Sequence, residues 1–247
     1  MLDTARIKAI ALDLDDTLWP IWPTIRRAEQ ALHDWLTRHA PRTAATFGDA
    51  EALRAIREQV GALRPDLRTD LSAMRRESIR LALSHSGDDT ALAEPAFDVF
   101  FAERQRVDFF DDALPALSRL AARYPLVSLS NGNADLQRVG LADYFRAAVS
   151  AQSAGVAKPD ARIFHAAAAA VGVQAHEVLH VGDDAHLDVV GAVGCGMQAV
   201  WVNRDGHDWH ARLAAQGAAH HAHATPQLTV QTLSQLCDRV LNPRCGL

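Results

Sequence analysis

Lysine is nearly missing from this chain. Only Lys8 and Lys158 occur among 25 basic residues in a length of 247, so arginine carries almost all of the positive charge. A lysine kept against such a bias is a candidate for a task that the planar guanidinium cannot perform. Cysteine is scarce too. Cys195, Cys237 and Cys245 are odd in number and lack metal-site spacing, which argues against a disulfide scaffold or a zinc knuckle and for free thiols. No apolar run is long enough to span a bilayer, and acids interrupt the stretch MLDTARIKAIALDLDD where a signal peptide needs apolar residues, so a cytoplasmic protein is expected. Excess positive charge is absent as well. A formal net charge of -5 provides no broad electropositive surface, which sets aside nucleic acid polymers and anionic membranes as main partners.

What is present is the composition of a chain that folds alone, with 49% hydrophobic and 22% charged residues. The length suits one large α/β domain or one domain with a smaller one inserted. Ile7 to Leu14 reads as a buried strand, because its nearly continuous apolar run ends in acids. From about Trp22 to Arg106 the period changes to helical: Ile25, Ala28, Leu32, Trp35 and Leu36 share one face, as do Leu53, Ile56, Val60 and Leu63. Further helical stretches near Leu71 to Leu83 and Ala91 to Arg104 predict a four-helix insert. Beyond it, apolar runs at Leu126 to Leu129, Val178 to Val181 and Ala199 to Val202 alternate with helical stretches such as Ala161 to Val171, the pattern of a parallel sheet covered by helices. The division expected is a core of residues 1–18 and 108–247 and an insert of 19–107. His220, His221 and His223 in an alanine-rich stretch read as solvated loop rather than a metal site.

Four segments carry chemistry. In Asp13-Leu14-Asp15-Asp16-Thr17-Leu18, an extended chain puts Asp13 and Asp15 on one side at the carboxyl end of a strand, where open α/β sheets bind ligands. One carboxylate there can attack phosphorus while the other protonates a leaving oxygen, provided a cation offsets the crowded charge. The strand Leu126 to Leu129 runs into Ser130, Asn131 and Gly132, a hydroxyl, an amide and a glycine turn suited to phosphate oxygens. In Gly155-Val156-Ala157-Lys158-Pro159-Asp160 the rare lysine is restrained by the following proline. Gly182-Asp183-Asp184 ends another strand in acids, with Asp188 close behind, and such hard oxygen ligands suit magnesium.

As an ordered set, DLDDT, LSNG, Lys158-Pro159-Asp160 and GDDAHLD resemble the four motifs of the haloacid dehalogenase superfamily in its phosphatase branch, over the core from the first strand to about Asn203. The resemblance implies a Rossmann-like parallel sheet with a helical cap inserted after the first strand, the cap closing over the site and choosing the substrate as lids do. It implies that Asp13 is the nucleophile and Asp15 the general acid and then base. Ser130, Asn131 and Lys158 would bind the phosphoryl group. Magnesium would be held by Asp13, the Asp15 backbone carbonyl and Asp183, with Asp188, Asp184 and Thr17 behind them. The activity implied is hydrolysis of small phosphorylated metabolites through an aspartyl-phosphate, by a monomer or homodimer. Asp15 argues against the dehalogenase branch, which lacks the second acid. A phosphotransferase or sugar-phosphate mutase differs only in where the phosphoryl group goes next, and a phospho-acceptor signalling module is shorter and has no insert. Trp19 and Trp22 are expected either to pack or to stack on a substrate ring, and Arg75 or Arg76 to meet a second anionic group.

Overall fold

The computed structural model describes residues 2–48 and 50–242, and Cys245 lies outside them. In chain order the elements are β1 Ala9–Leu12, α1 Ile21–His39, α2 Pro41–Thr46, α3 Ala50–Leu63, α4 Leu71–Ser86, α5 Ala93–Arg104 and α6 Ala113–Ala121. There follow β2 Leu126–Ser130, β3 Ala147–Ser150, α7 Ala151–Ala154, α8 Ala161–Ala170, β4 Val178–Gly182, a π-helical turn Ala185–Val190 running into α9 Gly191–Gly194, β5 Gln198–Val202, α10 Trp209–Ala215, β6 Leu228–Val230 and α11 Leu233–Leu241. Among the described residues no helix is long and apolar enough to cross a membrane.

The chain divides into two compact units. One gathers the chain up to Pro20, Phe109–Gly132 and the chain from Gly140 onward; the other gathers Ile21–Asp108 and Asn133–Val139. The first unit holds a six-stranded sheet in the order β3-β2-β1-β4-β5-β6, with every pairing parallel. Parallel strands buried on both faces need continuous apolar sequence, and every residue of β1, β2 and β4 is buried. The strand order reverses at β1, whose neighbours are β2 and β4, and such a switch point opens a crevice beyond the carboxyl ends of the strands. The first strand is shorter than its apolar run: Asp13 follows its end, held by its N–H to Val181 O at 2.9 Å.

The second unit is helical. The four helical stretches read from periodicity appear as α1, α3, α4 and α5, and α2 is a short addition opened by Pro41 at its first turn. Leu32, Leu36, Ile79, Leu83, Phe97 and Phe100 form its core. Residues 133–139 join it from far along the chain. Asn133 donates to Ser72 Oγ at 3.1 Å, and the Asp135 N–H donates to Gln105 Oε1 at 2.7 Å. Trp19, expected within the insert, belongs instead to the sheet unit, because its ring packs edge-on against Phe109 with centroids 5.7 Å apart.

Candidate active site

The crevice at the switch point receives three carboxylates and one ammonium. Asp13 follows β1, Asp183 follows β4, and Asp188 is carried on the π-helical turn. Each offers an oxygen, and these oxygens lie within 4.8 Å of one another. Lys158, between α7 and α8, sends Nζ into the same place, 2.6 Å from Asp13 Oδ1 and 2.6 Å from Asp188 Oδ1, with 3% of its side chain exposed.

Asp188 can approach so closely because Gly182 ends β4: a Cβ there would collide with the Asp188 carboxyl carbon. Its other oxygen accepts the Asp184 N–H at 3.0 Å, and His180 Nε2 lies 2.9 Å from Oδ1. His180 is a participant that the motifs do not mark, since it sits inside β4 where an inward polar side chain reads as strand. Burial holds its pKa down, which favours the neutral ring. An ionised Asp188 only accepts, so the ring proton belongs on Nε2, and among the described residues the buried Nδ1 has no partner. Phe164 covers the ring edge-on at 5.2 Å.

Burial raises the pKa of Asp13 to about 8, with Asp188 and Asp15 adding to the shift and Lys158 opposing it. Burial likewise lifts Asp183 well above the carboxylate range, reinforced by Asp13 and Asp188. For Lys158 burial works against the charge, but Asp13 and Asp188 outweigh it and keep the ammonium protonated. Burial also works against an ionised Asp188, yet Lys158 and His180 hold it below its ordinary value. Three acids therefore face one cation. That deficit of positive charge and the all-oxygen donor set fit a hard divalent cation such as magnesium.

The remaining expected residues divide by what they touch. Thr17, fully buried, donates its hydroxyl to Asp183 Oδ1 at 3.0 Å, and the Trp201 indole donates to the Asp183 carbonyl at 2.8 Å. Ser130 Oγ accepts the Gly132 N–H at 2.9 Å, which shapes the turn after β2. Asn131 differs from its expected role as a phosphate ligand. Its amide clasps the Lys158 backbone, donating to the carbonyl at 3.1 Å and accepting from the N–H at 2.8 Å, so the side chain serves to place the lysine. Asp184 is turned away from the cluster: Oδ1 caps the π-helical turn through the His186 and Leu187 N–H groups, and Oδ2 accepts Gln216 Nε2 at 2.9 Å. Asp15 Oδ1 accepts the Trp19 indole N–H at 2.9 Å.

Trp19 is completely buried and packs edge-on against Phe109, which accords with packing, one of its two expected roles. Trp22, in the helical unit, is 61% exposed. Arg75 shares Glu29 with Arg57 and lies 4.1 Å from the Phe100 ring centre, while Arg76 pairs with Glu94 and lies 3.8 Å from that of Phe97. The histidines near 220 pack ring against ring, with His186 joining His221 at 5.6 Å, and among the described residues the aspartate trio is the only group of ligand atoms close enough to hold a metal.

Residues 7–196 match the haloacid dehalogenase-like hydrolases. The 5-amino-6-(5-phospho-D-ribitylamino)uracil phosphatase of Escherichia coli K12 is 35% identical over 216 residues, covering 84% of this chain and 90% of that protein. A phosphoserine phosphatase of Thermus thermophilus is 32% identical over 222 residues, covering 80% and 89%. Among solved structures, a 2-haloacid dehalogenase from Pseudomonas syringae pv. tomato DC3000 superposes with a TM-score of 0.85 at 37% identity, over 96% of this chain and 99% of that one. With the parallel sheet, the acids at its switch point and the matched span in agreement, the chain belongs to the haloacid dehalogenase-like hydrolases.

Proposed function

We propose that the protein is a magnesium-dependent phosphatase of small phosphate monoesters in which Asp13 is the nucleophile. The observation that carries this reading is the buried Asp13 carboxylate, 2.6 Å from Lys158 Nζ, with a second acid, Asp15, two residues on. In the first step an Asp13 oxygen bonds to phosphorus as the bond from phosphorus to the ester oxygen breaks, and protonated Asp15 gives its proton to that oxygen, so a neutral alcohol leaves. In the second, Asp15, now a carboxylate, takes a proton from a water whose oxygen bonds to phosphorus. The bond from phosphorus to Asp13 breaks, inorganic phosphate leaves, and both acids return to their starting states.

Lys158 sets its charge beside the oxygens that carry the developing negative charge, and Ser130 with the N–H groups of the following turn bonds to them. Magnesium, held by Asp13, the Asp15 carbonyl and Asp183, would neutralise phosphoryl charge. Asp188 pairs with the lysine and is itself bonded by His180. Two curated relatives named as phosphatases support the reading.

A second reading has one observation in its favour, the naming of the Pseudomonas structure as a dehalogenase. Expelling halide from carbon needs no proton on the leaving group, which would leave Asp15 without work. The test is a panel of phosphate monoesters, including 5-amino-6-(5-phospho-D-ribitylamino)uracil and phosphoserine, run beside 2-haloacids with separate assays for phosphate and halide. Phosphate release that disappears in Asp13→Asn is expected. Halide release without phosphate release would overturn the proposal, and a phosphorylated product in place of free phosphate would make the protein a phosphotransferase.

A further inference from the structure

We propose that Arg204 is a positioning residue that clamps the chain where it leaves the sheet unit to the place where it returns, and so keeps the Thr17 hydroxyl on Asp183. The inference rests on the reading of Asp183 as a magnesium ligand and goes beyond it by assigning the group that holds the ligand's own partner in place.

Thr17 lies in the turn after β1, and its fully buried side chain links that turn to Asp183. The turn needs anchors outside itself. Its beginning has one, because the Asp13 N–H donates to Val181 O on β4 at 2.9 Å. Its end leads out of the unit: the chain departs after Pro20 and re-enters at Phe109. The departing and returning segments meet where the Phe110 N–H donates to Leu18 O at 3.0 Å.

Arg204, just past the end of β5, grips both segments at once. On the departing one, Nη2 donates to the Thr17 carbonyl at 2.9 Å. On the returning one, Nη2 and Nη1 donate to the two oxygens of Asp112 at 3.0 and 3.2 Å, and the guanidinium carbon lies 3.8 Å from the centre of the Phe110 ring. Asp112 is itself fixed, since Oδ2 also accepts the Leu233 N–H at 2.7 Å. A planar fork can serve a carboxylate, a carbonyl and a ring face together, which a compact ammonium cannot. Thr17 is therefore held at both ends, its carbonyl by Arg204 and its hydroxyl by Asp183. Without the first bond the turn can shift and draw the hydroxyl away from the second.

The experiment is a double-mutant cycle in which magnesium binding to the full chain is read by calorimetry. Arg204→Met keeps an aliphatic stem and removes every donor, and Thr17→Val removes the hydroxyl. Arg204→Met should weaken binding by about five-fold and Thr17→Val by about ten-fold, at or below the low end of the roughly 10–100-fold typical of partners behind a metal ligand. The double variant should bind no more weakly than Thr17→Val alone, because an anchor that acts through the hydroxyl then has nothing left to hold. Losses that multiply, to about fifty-fold, would mean that Arg204 acts by another route. An unaltered affinity in Arg204→Met would mean that it positions nothing, and either result overturns the proposal. Arg204→Lys, which keeps a charge for Asp112 but lacks the fork, takes the place of the methionine variant if that does not fold, with the same outcomes. Asp183→Ala run in parallel separates the two levels. If it weakens binding and the Arg204 variants do not, only the positioning role fails; if it binds as the wild type does, the ligand assignment fails and the positioning role with it.

Discussion

Lys158 Nζ stands midway between two carboxylates, 2.6 Å from Asp13 Oδ1 and 2.6 Å from Asp188 Oδ1, with nearly all of its side chain buried. A compact ammonium meets both acids from one point. A guanidinium at the same place would be larger and would impose a fork on its partners.

Lys158→Arg should therefore keep the charge and lose most turnover, on the order of 100-fold in kcat, with a stability cost of about 1–3 kcal/mol from overpacking. Lys8 is the control. Its side chain is 63% exposed and pairs with Glu177 at 2.5 Å, an interaction that arginine can replace, so Lys8→Arg should leave steady-state phosphate release unchanged. Equal behaviour of the two variants would mean that the geometry at Lys158 does not matter.

Removing one member of a buried ion pair leaves the other without compensation, at a cost of roughly 3–5 kcal/mol. Asp188→Ala leaves Lys158 with Asp13 but without its second carboxylate and takes the acceptor from His180 Nε2, so part of that cost applies. Asp184→Ala removes a helix cap and should cost about 1 kcal/mol. Urea denaturation of the two variants should show the larger fall in midpoint for Asp188→Ala.

Asp183→Ala should weaken magnesium binding, read by calorimetry, far more than Asp184→Ala, whose carboxylate is engaged by the π-helical turn and Gln216. Thr17→Val keeps the shape of the side chain and removes the hydroxyl from Asp183, and it should weaken binding by a smaller factor. The reverse order for Asp183 and Asp184 would mean that the metal ligand has been misassigned.

The pH dependence follows from the raised acids. Asp13 rises from 3.8 to about 8, so between those values the folded chain binds more protons there than the unfolded chain does. Stability contributed by that group is present at low pH and is lost as pH climbs from about 4 to about 8. Asp183 acts in the same direction, and His180, whose pKa is lowered from 6.5, acts in the opposite one near neutrality. Metal-free protein should melt at a lower temperature at pH 8 than at pH 5.5. Magnesium should raise the melting temperature more at pH 8, because it binds the ionised acids. A stabilisation by magnesium that shrinks as pH rises would contradict the electrostatic account.

The strands at the centre of the sheet were legible because burial on both faces requires unbroken apolar sequence, as in Leu126–Ser130 and Val178–Gly182. The edge strands were not. Ala147–Ser150 and Leu228–Val230 are short and partly exposed, so neither a continuous apolar run nor a clean alternation marks them. At the site, motif order singled out Asp13, Lys158 and Asp183, which the structure brings together. It could not reveal that the Asn131 amide is spent on the Lys158 backbone, since that bond joins residues 27 apart and depends on the loop after α7. His180 escaped notice for a related reason: its partner Asp188 comes within reach only because the π-helical turn folds back over Gly182. The ring of Trp19 packs as one of its expected roles required, but the bond from its N–H to Asp15 was not legible in the sequence.

A bond between phosphorus and Asp13 is detected by acid quenching of the wild-type protein during turnover of a ³²P-labelled monoester, followed by peptide mapping. The account predicts an acid-stable, base-labile label on the peptide that contains Asp13, absent from Asp13→Asn, which should release no phosphate while keeping a native circular dichroism spectrum. Phosphate release by Asp13→Asn at the wild-type rate, or a label found on another residue, would contradict it.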